Sequence, residues 1–183
     1  MYAAGVSAIQ MKAGGYRLED IAEAGFTLLE LRTAGVPVKT LRLAEGISNG
    51  ISNLMEVGFS VAELRLGGVT IEELIEKGIT AEELYRGGFR VRDLRVVGFT
   101  AKHLRDAGIK IRELRVGGRF SASELQGIGV TLSELWEGGY SLAQLQQVGF
   151  TVENFRNAGF GANALEDVGF SWLQDFFFSY CLS

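Results

Sequence analysis

The chain has 183 residues, 47% hydrophobic and 22% charged, with a formal net charge of −4. That composition belongs to an ordinary globular or repeat protein, and the acidic balance argues against a general nucleic-acid binder, which needs an excess of cations for phosphates. The 25 glycines, against a single proline, are regularly spaced, which excludes a flexible linker.

The opening stretch, MYAAGVSAIQMKAGG, lacks a basic region followed by an apolar core, so no signal peptide is expected. No apolar run approaches the ~20 residues that span a bilayer, and no membrane partner is expected. From Gly5 through Gly169 glycine begins a new unit every ten residues, apart from longer units that begin at Gly35, Gly46 and Gly118. Each unit reads glycine, large apolar, Ser or Thr, apolar, any residue, acidic or Gln, Leu, often Arg, any residue, small. The Leu column runs from Leu31 to Leu145 and returns at Leu165, with Met11, Ile21 and Phe155 as substitutes.

Every position in GVTIEELIEKG has a mechanical reason if the unit is one short helix. Thr70 can cap the N-terminus while Glu73 reaches back to the cap's own N–H. The same capping box is written at Ser60/Glu63, Thr80/Glu83, Ser121/Glu124, Thr131/Glu134 and Ser141/Gln144. Val69 before the cap and Leu74 after it form a hydrophobic staple. Gly78 supplies the left-handed residue that stops the helix, and Ile79 follows where a Schellman ending puts its apolar contact. Pro37 takes the Ser/Thr place, where its missing N–H costs little.

The expected helix is about eight residues, or about 12 Å, long. Such a helix is marginal alone, so the units must stack, and the predicted fold is an all-α solenoid with one helix per repeat. The alternative is a pentapeptide-type right-handed β-helix, because large apolar residues also recur every five (Phe99, Leu104, Ile109, Leu114). That fold would aim Glu72, Glu82, Arg92, Lys102, Arg112 and Glu153 into a narrow core, at high desolvation cost. No column alternates between odd and even units, so the number of helices per turn stays open.

The unit GFTAKHLRDA, and more closely GFSVAELRLG and GITAEELYRG, resembles the tandem decapeptide arrays of many proteins from unicellular algae and marine microbes. The resemblance covers residues 5 to about 175. It implies an array architecture and nothing catalytic. Three stretches depart from it: GISNGISN at 46–53, read as a longer turn; the extra residue near Arg119 and Phe120; and the aromatic tail 170–183. Residues 1–183 are read as one repeat domain, and the tail as an intramolecular cap or a homodimer contact.

Catalytic, cofactor and metal sites are not expected. His103 is the only histidine and stands in the Glu column, where it reads as a capping-box substitute. Without a second His or a nearby Cys it lacks the partners of a zinc site. The lone Cys181 suits a reducing, cytoplasmic setting and reads as a small buried apolar residue. The GG pairs are turns, with no Lys-Ser or Lys-Thr to complete a phosphate loop. Glu72/Glu73 and Glu82/Glu83 read as a helix-start charge preference.

One feature rises above the repetition. Residues 86–119 hold ten basic against three acidic side chains, a local +7 within a chain of net −4, so the remainder carries −11. In three successive units the second and fifth helical residues are basic: Arg92/Arg95, Lys102/Arg105 and Arg112/Arg115. Spacing of three puts each pair on one helix side, as a candidate ridge for an acidic protein partner. The function that best fits is a non-catalytic protein–protein interaction scaffold. A DNA-mimic or enzyme-inhibitor rod on a β-helix and a purely structural spacer are the alternatives.

Overall fold

The computed structural model describes residues 5–44, 50–161 and 165. The chain divides into two compact units, Met1–Arg90 and Val91–Ser183. The first contains α1 (Ala8–Ala13), α2 (Leu18–Glu23), α3 (Leu28–Thr33), α4 (Val38–Leu43), α5 (Ile51–Glu56), α6 (Val61–Leu66), α7 (Ile71–Glu76) and α8 (Ala81–Arg86). The second contains α9 (Val91–Val96), α10 (Ala101–Asp106), α11 (Ile111–Val116), α12 (Ala122–Gln126), α13 (Leu132–Glu137), α14 (Leu142–Gln147) and α15 (Val152–Asn157). No strand occurs among the described residues, which removes the β-helix alternative and leaves the all-α solenoid.

The helical segments are six residues long, and five in α12, rather than the expected eight. The other two positions are the flanking caps, which have left helical geometry at one end and not yet entered it at the other. Thr70 Oγ1 accepts the Glu73 N–H at 3.2 Å while the Glu73 carboxylate accepts the Thr70 N–H at 2.7 Å. Each of the other five capping boxes read from the sequence closes in the same way. Pro37 is itself the N-cap of α4.

At the far end of α7, Gly78 has φ +79°, its N–H donates to Ile75 O at 2.9 Å, and the Ile79 N–H donates to Leu74 O at 3.1 Å. Those two bonds define a Schellman ending. Leu74 therefore accepts the bond that closes its own helix and forms the core beneath the next one. Leu31, Leu41, Leu54, Leu64, Leu74 and Leu84 in the first unit, and Leu94, Leu104, Leu114, Leu125, Leu135 and Leu145 in the second, have no exposed surface. Each contributes about 1.5–3 kcal/mol by burial, which is what holds helices too short to survive alone.

Packing answers the question left open by the columns. In the first unit α1 packs on α3, α2 on α4, α4 on α6 and α6 on α8; in the second α10 packs on α12 and α11 on α13. In these pairs a helix rests on the one two repeats along, while α1/α2, α10/α11 and α13/α14 touch side by side, so within each unit two decapeptides make one turn of the stack. Close approach within a stack needs glycine at some helix ends. A Cβ on Gly87 would lie 2.4 Å from Val61 Cγ1, across the α6/α8 contact.

Two departures from the repeat have structural consequences. Half of GISNGISN is not a turn: Gly50 is the N-cap and residues 51–53 the first turn of α5, while residues 46–49 lie outside the described residues. After α11 the extra residue postpones the helix stop. Gly117 is right-handed, the Gly118 N–H donates to Glu113 O at 3.1 Å, and the left-handed position falls on Arg119, φ +54°. The tail 170–183, with Cys181, lies outside the described residues.

Candidate functional site

The six basic residues singled out from the sequence separate into two sets. The fifth helical residue does not share the open face of the second; it crosses to the carbonyl that follows the next-but-one helix and, from Arg95 and Arg105, to the capping Glu of the helix after that. Arg95 donates from Nη1 to Gly118 O at 2.8 Å and from Nη2 to Glu124 Oε1 at 2.7 Å, with its guanidinium 4.1 Å from the centre of the Phe120 ring. Arg105 repeats this on Ile128 O at 3.2 Å and Glu134 at 3.0 Å. Arg115 Nε donates to Gly138 O at 2.8 Å and lies 5.8 Å from the Tyr140 ring.

The first unit uses the same device. Arg32 donates to Val57 O over the Phe59 ring, Arg65 to Gly87 O over the Phe89 ring, and Lys12 Nζ to Ala34 O. A cation at the fifth helical position thus satisfies a carbonyl that a helix end leaves open, and Arg32, Arg65, Arg95 and Arg115 also cover the aromatic residue that follows the stop. Sequence reading missed this because the partner is about 22–25 residues away. One signal was available: arginine follows the core Leu far more often than the varied surface would require.

The electrostatics are those of caps. The backbone N–H of Ser121 holds the Glu124 carboxyl below the ordinary glutamate range; burial opposes it, and the Ser121 hydroxyl and Arg95 add to the lowering. The Tyr140 hydroxyl donates to Phe120 O, and burial pushes its pKa up to about 12. His103 acts as the predicted capping substitute, its Nδ1 accepting the Thr100 N–H at 3.3 Å. Among the described residues no group of three or more His, Cys, Asp or Glu is placed to hold a metal ion.

The second set is open to solvent. Arg92, Lys102 and Arg112 are exposed. Lys102 is engaged by Asp106 at 3.0 Å, whereas no ion pair among the described residues holds Arg92 or Arg112. These two belong to one stack, since Arg95 of α9 bonds the carbonyl that follows α11, while Lys102 on α10 belongs to the other. Four residues beyond each arginine, on the same side of its helix, stand Val96 and Val116, exposed by 79% and 62%. Elsewhere that last helical position carries residues such as Glu76, Arg86, Glu137 or Gln147. Exposed aliphatic residues take that position at four helices, Leu43 of α4 and Leu66 of α6 as well as the two valines.

The first unit carries an apolar patch of its own. Leu43 and Leu66, exposed by 77% and 72%, lie on the stacked helices α4 and α6. Leu66 lines a cleft of about 450 Å³ with Arg32, Pro37, Val38 and Phe59 among others.

Short capped helices, joined by Schellman glycines and stacked two to a turn, define an α-solenoid repeat protein. Residues 50–119 and 108–174 match the family described as decapeptide repeat region, and the chain belongs to that family. It matches no curated protein and no solved structure. No helix among the described residues is long and apolar enough to cross a membrane.

Proposed function

We propose that the chain is a non-catalytic scaffold for protein–protein docking, and that its α9/α11 face receives an acidic partner. The observation that carries this reading is the division of labour along each helix. Leu, cap and crossing-arginine positions are consumed by the array, and the second and last helical positions are left free to vary. In α9 and α11 those free positions hold two arginines that no ion pair holds among the described residues, beside two exposed valines. Unpaired guanidiniums supply steering and bidentate recognition of carboxylates, and exposed aliphatic surface supplies the non-directional part of binding. A reducing, cytoplasmic setting and the absence of any cofactor belong to the same proposal.

The test is capture of partners from a source lysate by wild type and by Arg92→Glu/Arg112→Glu, at low and high salt. Loss of the same bands in the variant and at high salt is expected, because exposed charges are screened beyond ~8–10 Å near physiological ionic strength. Equal recovery by both proteins makes the arginines a solvated face. Recovery by neither makes the array a spacer.

A further inference from the structure

We infer that the acidic partner of the α9/α11 face is the α7 face of a second copy of this chain. The inference rests on the docking reading above and names its occupant. On α9 and α11 the second and last helical residues, four apart and on one side, are Arg92/Val96 and Arg112/Val116. On α7 the same two positions hold Glu72 and Glu76, both exposed and neither in an ion pair among the described residues. Between them stands the half-buried Ile75, at the position where other helices place the crossing arginine. One helix therefore offers acid, aliphatic and acid in the spacing at which the other two offer base and aliphatic.

The neighbouring charges favour a protein occupant over a polyphosphate. Asp93 follows Arg92 and Glu113 follows Arg112, so a continuous row of phosphates would run along carboxylates as well as arginines. Two discrete carboxylates on a helix meet no such conflict. The patch is small. A long-lived interface buries roughly 1,000 Å² or more, so this association forms and breaks with concentration. The ion pairs set its register and salt dependence, and Val96, Val116 and Ile75 provide the apolar contact.

Sedimentation velocity of the full chain, over about a hundredfold concentration range, reads the association by mass action. Wild type is expected to move from monomer towards dimer at about 50 mM salt and to return to monomer near 500 mM, where the Debye length falls to a few ångströms. Arg92→Glu/Arg112→Glu and Glu72→Arg/Glu76→Arg are each expected to weaken association at least about tenfold, since like charges then face each other. Mixed together, the two variants are expected to associate as wild type does. Arg92→Gln/Arg112→Gln is a milder check, and unchanged circular dichroism at 222 nm confirms that each variant is folded.

Three results overturn the inference: a wild type that stays monomeric, an association that Arg92→Glu/Arg112→Glu retains, or no recovery on mixing. A monomeric wild type whose lysate partners are still lost with Arg92→Glu/Arg112→Glu would remove the second copy and keep the docking reading.

Discussion

Removing Arg95 tests whether the crossing arginines hold the stack. In Arg95→Ala the carbonyl of Gly118, a buried residue, loses its donor at 2.8 Å. Stranding a buried acceptor costs about 1–3 kcal/mol. The guanidinium over Phe120 at 4.1 Å adds about 0.5–1 kcal/mol at a partly open site. The ion pair with Glu124 joins side chains exposed by 36% and 43%, and is screened to well under 1 kcal/mol. These contributions overlap, and water can reach part of the vacated space, so the expected loss is about 1.5–2.5 kcal/mol. Arg95→Lys should keep roughly half of the stability. An ammonium can serve the carbonyl, as Lys12 Nζ does on Ala34 O at 2.8 Å, but it cannot also lie flat on the ring and fork to the glutamate. Urea denaturation followed at 222 nm, with amide exchange resolving α9 to α12, measures the effect in an array that need not unfold as one unit. The reference is Arg92→Ala, on the same helix and unpaired, which should change stability by under ~0.5 kcal/mol. If Arg95→Ala costs no more than Arg92→Ala, the crossing arginines are surface decoration and the reasoning fails.

Leu104→Ala, at a side chain with no exposed surface, should destabilise by about 2–5 kcal/mol. Lys102→Ala removes only an exposed pair with Asp106 and should cost under ~1 kcal/mol, so equal losses in denaturant would contradict the core column. Arg119→Gly should stabilise by about 0.5–1 kcal/mol, the relief of about 1–2 kcal/mol of left-handed strain less the added freedom of glycine in the unfolded chain. A lower melting temperature would mean that the Arg119 side chain contributes more than its backbone costs. Glu30, Glu63, Glu73, Glu83, Glu124 and Glu134 all ionise below the ordinary glutamate range, chiefly because the N–H of the capping Ser or Thr donates to the carboxylate. A folded-state pKa lowered beneath the unfolded value of about 4.3 gives stability that is present above that pH and lost as pH falls through the folded pKa. Melting temperature should therefore drop on acidification below about pH 4.3, and less steeply in Glu83→Gln/Glu124→Gln/Glu134→Gln; parallel curves would refute the assignment.

What the amino-acid sequence decided by itself is everything that closes within one unit. Thr70, Glu73, Leu74, Gly78 and Ile79 make their defining bonds across three to five residues. Helix, cap, staple and stop were therefore legible without knowing where the rest of the chain lies. His103 could be placed in a cap for the same reason. The tertiary structure alone decided how the units stack and which cations remain free. The same Schellman ending recurs along both stacks, at α6, α7 and α8 as at α13, so both offer similar surroundings and no alternation is written into any column. Arg92 and Arg95 look equivalent on a helix drawn in isolation. They diverge because a left-handed stop two units on brings the Gly118 carbonyl and the Phe120 ring under Arg95 and nothing comparable under Arg92. The inserted residue at Arg119 follows the same rule: the extra position was visible in the spacing, but which residue takes the strained conformation depends on where Phe120 must land to reach the core.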